Sequence, residues 1–170
     1  GTVYVSDGYG NSRVVRFAAD GTYLGEWGVK GRADGEFDTP HSVVVAPDGS
    51  VWIAHLGTNQ LGRVNPVTGV LTAYPLPDSG ARPRRLAVTS DGTVWYTDYA
   101  RGYLGALDPA TGKVREWPTP GGNAGPYGIS VGTDGRIWYN EARTGDMIAF
   151  NPKTQQMTVV PLPTSGAIVR

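Results

Sequence analysis

Three stretches of this chain, DGSVWIAHLGTNQLGRVNPVTGVLTAYPLP, DGTVWYTDYARGYLGALDPATGKVREWPTP and DGRIWYNEARTGDMIAFNPKTQQMTVVPLP, repeat one pattern. Asp48, Asp91 and Asp134 each precede a glycine and stand 43 residues apart. Trp52, Trp95 and Trp138 keep the same interval, as do Leu61, Leu104 and Met147, and Pro75, Pro118 and Pro161. A fourth copy, GTVYVSDGYGNSRVVRF, opens the chain with Tyr4 in the tryptophan position. It stands 48 residues ahead of its successor because VKGRADGEFDTP is longer than the linkers it matches. A fixed period of this length means that each copy performs one packing task in an array.

Each copy resolves into short β runs. HSVVVA alternates and ends at the turn PDG, SVWIAH follows as its hairpin partner, LGRVN is third, and VLTAYPLP is fourth. Asp-Gly, Asn-Pro and Thr-Gly turns separate them, and no helical apolar period is present. Four antiparallel strands per ~43 residues is the signature of a propeller blade. The fold class is therefore all-β: a β-propeller of four four-stranded antiparallel blades, forming one domain over residues 1–170. The repeats fall at about 1–46, 47–89, 90–132 and 133–170, with the termini inside a blade. A β-sandwich has no reason to hold Trp, Asp-Gly and Pro at one fixed interval.

Side-chain parity orders the hairpin. If Asp48-Gly49 makes the turn, His41 faces His55, Val43 faces Ile53 and Val45 faces Val51. Trp52 then lies on the opposite face near Ser42 and Val44, with Trp95 near Arg85 and Ala87, and Trp138 near Gly128 and Ser130. Bulky rings over mostly small residues suit blades stacked face to face, each ring burying on the order of 150–250 Å². The tryptophans are core residues on this reading.

The chain begins in what reads as the second strand of a blade and ends at GAIVR, which lines up with GARPR and opens a first strand. Sequence ahead of Gly1 is therefore expected to have been removed. Three architectures fit: a small closed ring, an arc of a larger parent, or a ring completed by a second copy. An arc exposes apolar faces and strand edges, so self-association is expected.

Charge and composition exclude several classes. Fifteen basic and 15 acidic residues give a formal net charge of zero, which offers no footprint for nucleic acid. Arg82, Arg84 and Arg85 form a short basic cluster between acidic stretches and read as solvated. Cysteine is absent, so disulfides and thiolate metal sites are excluded. No apolar run approaches the ~20 residues that span a bilayer, and a soluble chain is expected. DGYGNSR is glycine-rich but lies on a strand-to-strand turn, where no phosphate loop forms. Arg13 occupies the position where an N-glycosylation signal needs Ser or Thr.

In this register the start of each first strand meets the end of each second strand at one mouth of the channel. The pairs are His41 with His55, Arg84 with Asp98, Tyr127 with Glu141, and Arg170 with Asp7 in the broken blade. His41, His55, Tyr127 and Arg84 are the candidate catalytic residues. A histidine titrates near neutrality and can serve as base, and an arginine can hold a carboxylate or polarise a carbonyl. Glu141, Asp98 and Asp7 are the candidate ligands for a divalent cation, magnesium or calcium. A small molecule at this mouth is the expected ligand. The same residues also suit a structural role, since strand ends meeting water carry ion pairs that contribute little.

The repeats resemble two related groups. GTVYVSDGYGNSRVVRFAADGTYLGEWG with GEFDTPHSVVVAPDGSVWIA resembles an NHL repeat. VYVSDGYGNSR and PHSVVV also resemble the propeller of the peptidyl-hydroxyglycine amidating lyase. From SVWIAHLG onward, GPYGISVGTDGRIWYNE and the KVREWPTP-type blade ends resemble virginiamycin B (streptogramin) lyase propellers. The change of character between Pro47 and Val51 is what a recombined or engineered chain shows, and neighbouring natural blades also diverge in this way.

The resemblance implies a β-propeller of bacterial type, from a secreted or periplasmic parent, and it carries activity over only in part. His41 matches a zinc-ligand position of the amidating lyase, but that site uses three histidines, and Arg84 and Tyr127 stand at the other two positions. The streptogramin lyases use a histidine in a Pro-His motif as base, with glutamates on magnesium. His41 is the one Pro-His candidate here; Glu141 matches a blade carboxylate, and Asp98 and Asp7 are shorter analogues. The expectation is a binding or scaffold propeller without efficient catalysis. The alternatives are a metal-dependent lyase with His41 or His55 as base, and a lactonase-like hydrolase using the same carboxylates for calcium.

Overall fold

A computed structural model describes residues 1–33, 35–164 and 167 of the chain. These residues form fifteen strands in four antiparallel sheets. The first sheet holds β1 (Thr2–Asp7), β2 (Arg13–Ala18) and β3 (Tyr23–Trp27). The second holds β4 (Pro40–Val45), β5 (Val51–His55), β6 (Gln60–Val64) and β7 (Leu71–Pro75). The third runs through β8 (Pro83–Val88), β9 (Val94–Asp98), β10 (Tyr103–Leu107) and β11 (Val114–Pro118). The fourth comprises β12 (Pro126–Val131), β13 (Ile137–Glu141), β14 (Asp146–Asn151) and β15 (Gln156–Pro161).

The expected order of runs is the observed order of strands. Each sheet is a meander, so neighbours in sequence are neighbours in space. The sequence repeat is offset from the sheet by one strand, because its boundaries cut between the first and second strands of a blade. The first sheet accordingly has three strands. The terminal run expected to open a further first strand, Ile168 to Arg170, lies outside the described residues.

The core lies between sheets. Trp52, Ala54 and Leu61 of the second sheet pack against Leu86, Val94, Tyr96 and Leu107 of the third. One period later, Trp95, Leu104 and Ala106 pack against Ile137, Tyr139, Ile148 and Phe150. One period earlier, Val14 with Tyr4 and Trp27 packs against Val51, Ile53 and Val64. Trp52 and Trp95 are 1% and 2% exposed, as their reading as core residues requires. Trp138 is only partly buried, because no described sheet covers its face. On the opposite end of the row, Val3 and Val5 are 50% and 44% exposed.

β1, which begins the three-stranded sheet, and the first strands β4, β8 and β12 of the other sheets stand side by side in that order. Among the described residues, no packing of comparable extent joins β12 back to β1. The four sheets thus form an open arc.

The hairpin register holds through most of each inner strand and then shifts. Val43 pairs with Ile53, Val44 with Trp52, and Ser42 with Ala54, as parity predicts. A β-bulge follows, so that Pro40 and not His41 stands opposite His55. The same irregularity sets Pro83 opposite Asp98 and Pro126 opposite Glu141. The expected pairs His41–His55, Arg84–Asp98 and Tyr127–Glu141 are therefore not formed. The cause is local: proline has no N–H to give the ladder, and the extra residue after it is free to turn to the other side. The fourth expected pair, Arg170 with Asp7, lies partly outside the described residues.

Candidate functional site

The bulges separate the seven sequence-predicted residues into two sets. Those before the shift, His41, Arg84 and Tyr127, turn towards one another across three blades. Those at the ends of the second strands stay within their own sheets and loops.

His41 is 8% exposed and bridges blades. Its Nδ1 lies 2.8 Å from the Arg84 carbonyl oxygen, and its Nε2 lies 3.0 Å from the Tyr9 hydroxyl. A carbonyl only accepts, so Nδ1 carries the proton and donates. Nε2 then keeps its lone pair and accepts from the Tyr9 O–H. Burial holds the His41 pKa below its usual value, and the nearby Arg84 and Arg85 charges act in the same direction, partly offset by the bond to the Arg84 carbonyl. His41 is thus a neutral imidazole with a defined tautomer.

Arg84 lies in the angle between two mutually perpendicular rings. Its guanidinium carbon is 4.5 Å from the Tyr99 centroid and 4.8 Å from the Tyr127 centroid. Arg85 lies 5.2 Å from the Tyr127 ring and donates to the His41 carbonyl at 3.3 Å. Burial opposes ionisation of the Tyr127 phenol, but the Arg84 and Arg85 guanidiniums outweigh it and bring the pKa below its usual value. Arg143 stands over the far ring, 5.0 Å from the Tyr99 centroid.

The second set is tied to structure. His55 is 3% exposed, packed edge-on against Phe37 at 4.9 Å between centroids, and its Nε2 has no hydrogen-bond partner. Burial depresses its pKa to about 4, with the Asp38 charge opposing. Asp98 is fully buried, and its Oδ1 accepts from the backbone N–H groups of Arg82, Ala100 and Arg101. Its Oδ2 faces Arg101 Nε at 3.4 Å as an ion pair without hydrogen-bond geometry. Glu141 is 1% exposed, accepts from Gly121 N–H at 3.1 Å and receives the Thr144 hydroxyl at 3.1 Å. Asp7 takes Asn11 at 2.7 Å and Arg13 at 3.0 Å.

Parity reasoning placed His55, Asp98 and Glu141 at the mouth; the structure makes Asp98 and Glu141 clamps for the loops that lead between blades. Sequence reasoning also missed Tyr9, Tyr99, Arg85 and Arg143. One signal was available for Tyr9, which stands between two glycines in a turn beside the first bulge. Tyr99 and Arg143 each follow closely on a second-strand end, and the repeat gives neither a counterpart of its own type.

The sequence profile of the virginiamycin B lyase family matches residues 29–170. The chain belongs to that family. Among solved structures, it is similar to a catalytically inactive variant of virginiamycin B lyase from Staphylococcus aureus with quinupristin, at TM-score 0.86 and 23% identity. That match covers 99% of this chain and 54% of the other, so the chain spans about half the length of the lyase it resembles. A streptogramin B lyase structure gives TM-score 0.77 at 23% identity, covering 95% of this chain and 54% of that one. Mouse peptidyl-glycine alpha-amidating monooxygenase is 41% identical over 51 residues, which are 28% of this chain and 5% of that protein. The likeness fixes the fold as a partial propeller of virginiamycin B lyase type, with sheets arranged as in part of a larger ring.

The divalent cation that this resemblance implies does not fit the residues present. Asp7, Asp98 and Glu141 come from three different sheets, and each already accepts from protein donors, Asp7 from its own turn and strand and Asp98 and Glu141 from the loops between sheets. Among the described residues, no three His, Asp or Glu side chains converge as a metal site requires.

Proposed function

We propose that this virginiamycin B lyase-family chain is a binding propeller segment whose mouth receives a carbonyl-bearing small molecule, without efficient metal-dependent elimination of its own. The observation that carries this reading is the division made by the bulges. His41, Arg84 and Tyr127 meet at one place, while Asp98 and Glu141 are spent on loop backbone and Asp7 on the Asn11 and Arg13 side chains. A neutral imidazole, a guanidinium and a phenol offer donors and one lone pair to a carbonyl group, set among aromatic surfaces.

A second reading, elimination by proton abstraction, draws support from the fixed tautomer of His41. Its Nε2 lone pair is free to take a proton once the Tyr9 hydroxyl gives way to substrate, and Arg84 is placed to polarise a carbonyl beside the reacting carbon. Incubation with quinupristin, with and without magnesium, decides between the two. Binding seen by calorimetry with no ring opening supports the binding segment. Ring opening that disappears in His41→Ala overturns it in favour of the lyase.

We also infer that the chain associates through its end blades. Val3 and Val5 on one end and Trp138 on the other occupy positions that a neighbouring sheet covers everywhere else in the row.

A further inference from the structure

The mouth has an unbalanced charge. Arg84 and Arg85 enter it from β8 and Arg143 from the turn after β13, and none of the three belongs to any ion pair among the described residues. Five other cations, Arg13, Arg32, Arg63, Arg101 and Arg136, each hold a carboxylate within 4 Å, while Arg16, Arg82, Arg115 and the three lysines stand apart from the mouth without one among the described residues. The nearest acids by sequence and sheet position, Asp98 and Glu141, are buried and accept from loop backbone.

Arg84 is also under-used as a donor. Its Nε is buried without a partner, its Nη2 reaches the Tyr9 hydroxyl at 3.5 Å, and its guanidinium also holds the Tyr127 phenol. A guanidinium carries five N–H donors in a planar fork that matches a carboxylate. Stacking on Tyr99 and Tyr127 orients that fork before any ligand arrives, which lowers the entropy lost on binding. The lowered pKa of Tyr127 reports the same positive field from a neighbouring group.

We propose that the mouth is a receptor for a carboxylate anion, with Arg84 as its anchoring cation and Arg85 as a second charge. The ligand class is a carboxylate on an apolar or aromatic body, the body resting on the exposed ring of Tyr9 and on Tyr99. The inference rests on the mouth being a ligand site, and it adds the charge and the anchoring group. A neutral carbonyl compound leaves the guanidiniums without a counter-charge, whereas a carboxylate supplies one and accepts two hydrogen bonds in one plane.

The test compares N-acetylphenylalanine with its amide, which differ only in the charged group, by titration calorimetry on the whole chain at low ionic strength. The acid is expected to bind at least about tenfold more tightly than the amide, and added salt is expected to narrow the gap. Arg84→Gln is expected to weaken the acid by about tenfold or more and the amide by less, so that the gap between the two closes, with circular dichroism confirming the fold. If Arg84→Gln does not fold, the comparison of acid, amide and salt on the unaltered chain decides alone. Equal binding of acid and amide overturns the anion receptor while leaving the mouth a site for neutral ligands. No binding of the acid overturns it too, and the quinupristin titration then judges the mouth as a site independently.

Discussion

Trp52 and Trp138 hold the same place in the repeat but not in the molecule, and truncating each to alanine should expose the difference. Trp52 is 1% exposed and sits between two sheets, against Leu86, Val94, Tyr96 and Leu107 of the next blade. Its ring also lies 5.3 Å from that of Tyr74. Trp52→Ala removes a fully buried ring and leaves a hole that two rigid sheets cannot close, a loss of about 3–5 kcal/mol. Trp138 rests on its own sheet with Arg136 5.0 Å from its ring, and no described sheet lies over it. Its removal forfeits transfer free energy without opening a cavity, about 1–2 kcal/mol. Urea denaturation followed by far-ultraviolet circular dichroism measures both, at a protein concentration low enough to keep the chain monomeric. The midpoint should fall much further for Trp52→Ala than for Trp138→Ala. Equal losses under those conditions would refute the open arc, because they would mean that the Trp138 face is covered as well.

Three further outcomes follow from the geometry. Val5→Asp, on a strand whose valines are 44–50% exposed, should reduce self-association in sedimentation velocity without lowering the monomer's denaturation midpoint; an unchanged sedimentation coefficient at high concentration would remove the end-blade contact. Gly105→Ala places a methyl group on the Tyr96 ring, whose hydroxyl crosses to Glu116 at 2.7 Å, and should cost about 1–3 kcal/mol by urea titration; a neutral effect would mean that the ring has room to move. His55 is held neutral with a pKa of about 4, so the unfolded chain binds more protons between pH 6.5 and 4. Stability should therefore fall by up to about 3 kcal/mol as pH drops through that window. His55→Gln should flatten the slope, leaving the smaller contribution of His41, whose pKa is shifted the same way.

The fold was readable because propeller packing is periodic and periodicity survives in sequence. One Trp, one Asp-Gly turn and one Pro per 43 residues mark the face, the hairpin and the edge of each blade, and the four sheets follow. The site was readable only up to the point where the period-two rule fails. A strand that keeps its pleat puts residues 41 and 43 on one face, and this led to His41 opposite His55. One extra residue after Pro40, Pro83 and Pro126 reverses the side chains beyond it, because slippage by a single residue exchanges the faces. The residues named for the mouth are divided for a single reason: those on the bulged side of the hairpin are freed to meet across blades, and those on the regular side remain in the sheet.

That reversal also explains why the side chains at the ends of the two strands have different surroundings. A second-strand end such as Asp98 lies on an unbroken ladder, so its side chain is held within the blade and serves the loop that must turn there. A first-strand start such as Arg84 lies on a broken one, so its side chain can change without disturbing the ladder. Histidine, arginine and tyrosine occupy that place in successive blades, while Pro precedes each of them. The constant proline makes the opening in the ladder, and the variable residue after it turns towards the neighbouring blades. In this chain those variable positions bring a neutral base, a cation and a phenol together with no acid among them, and the charge of the mouth follows from that substitution pattern and not from the fold.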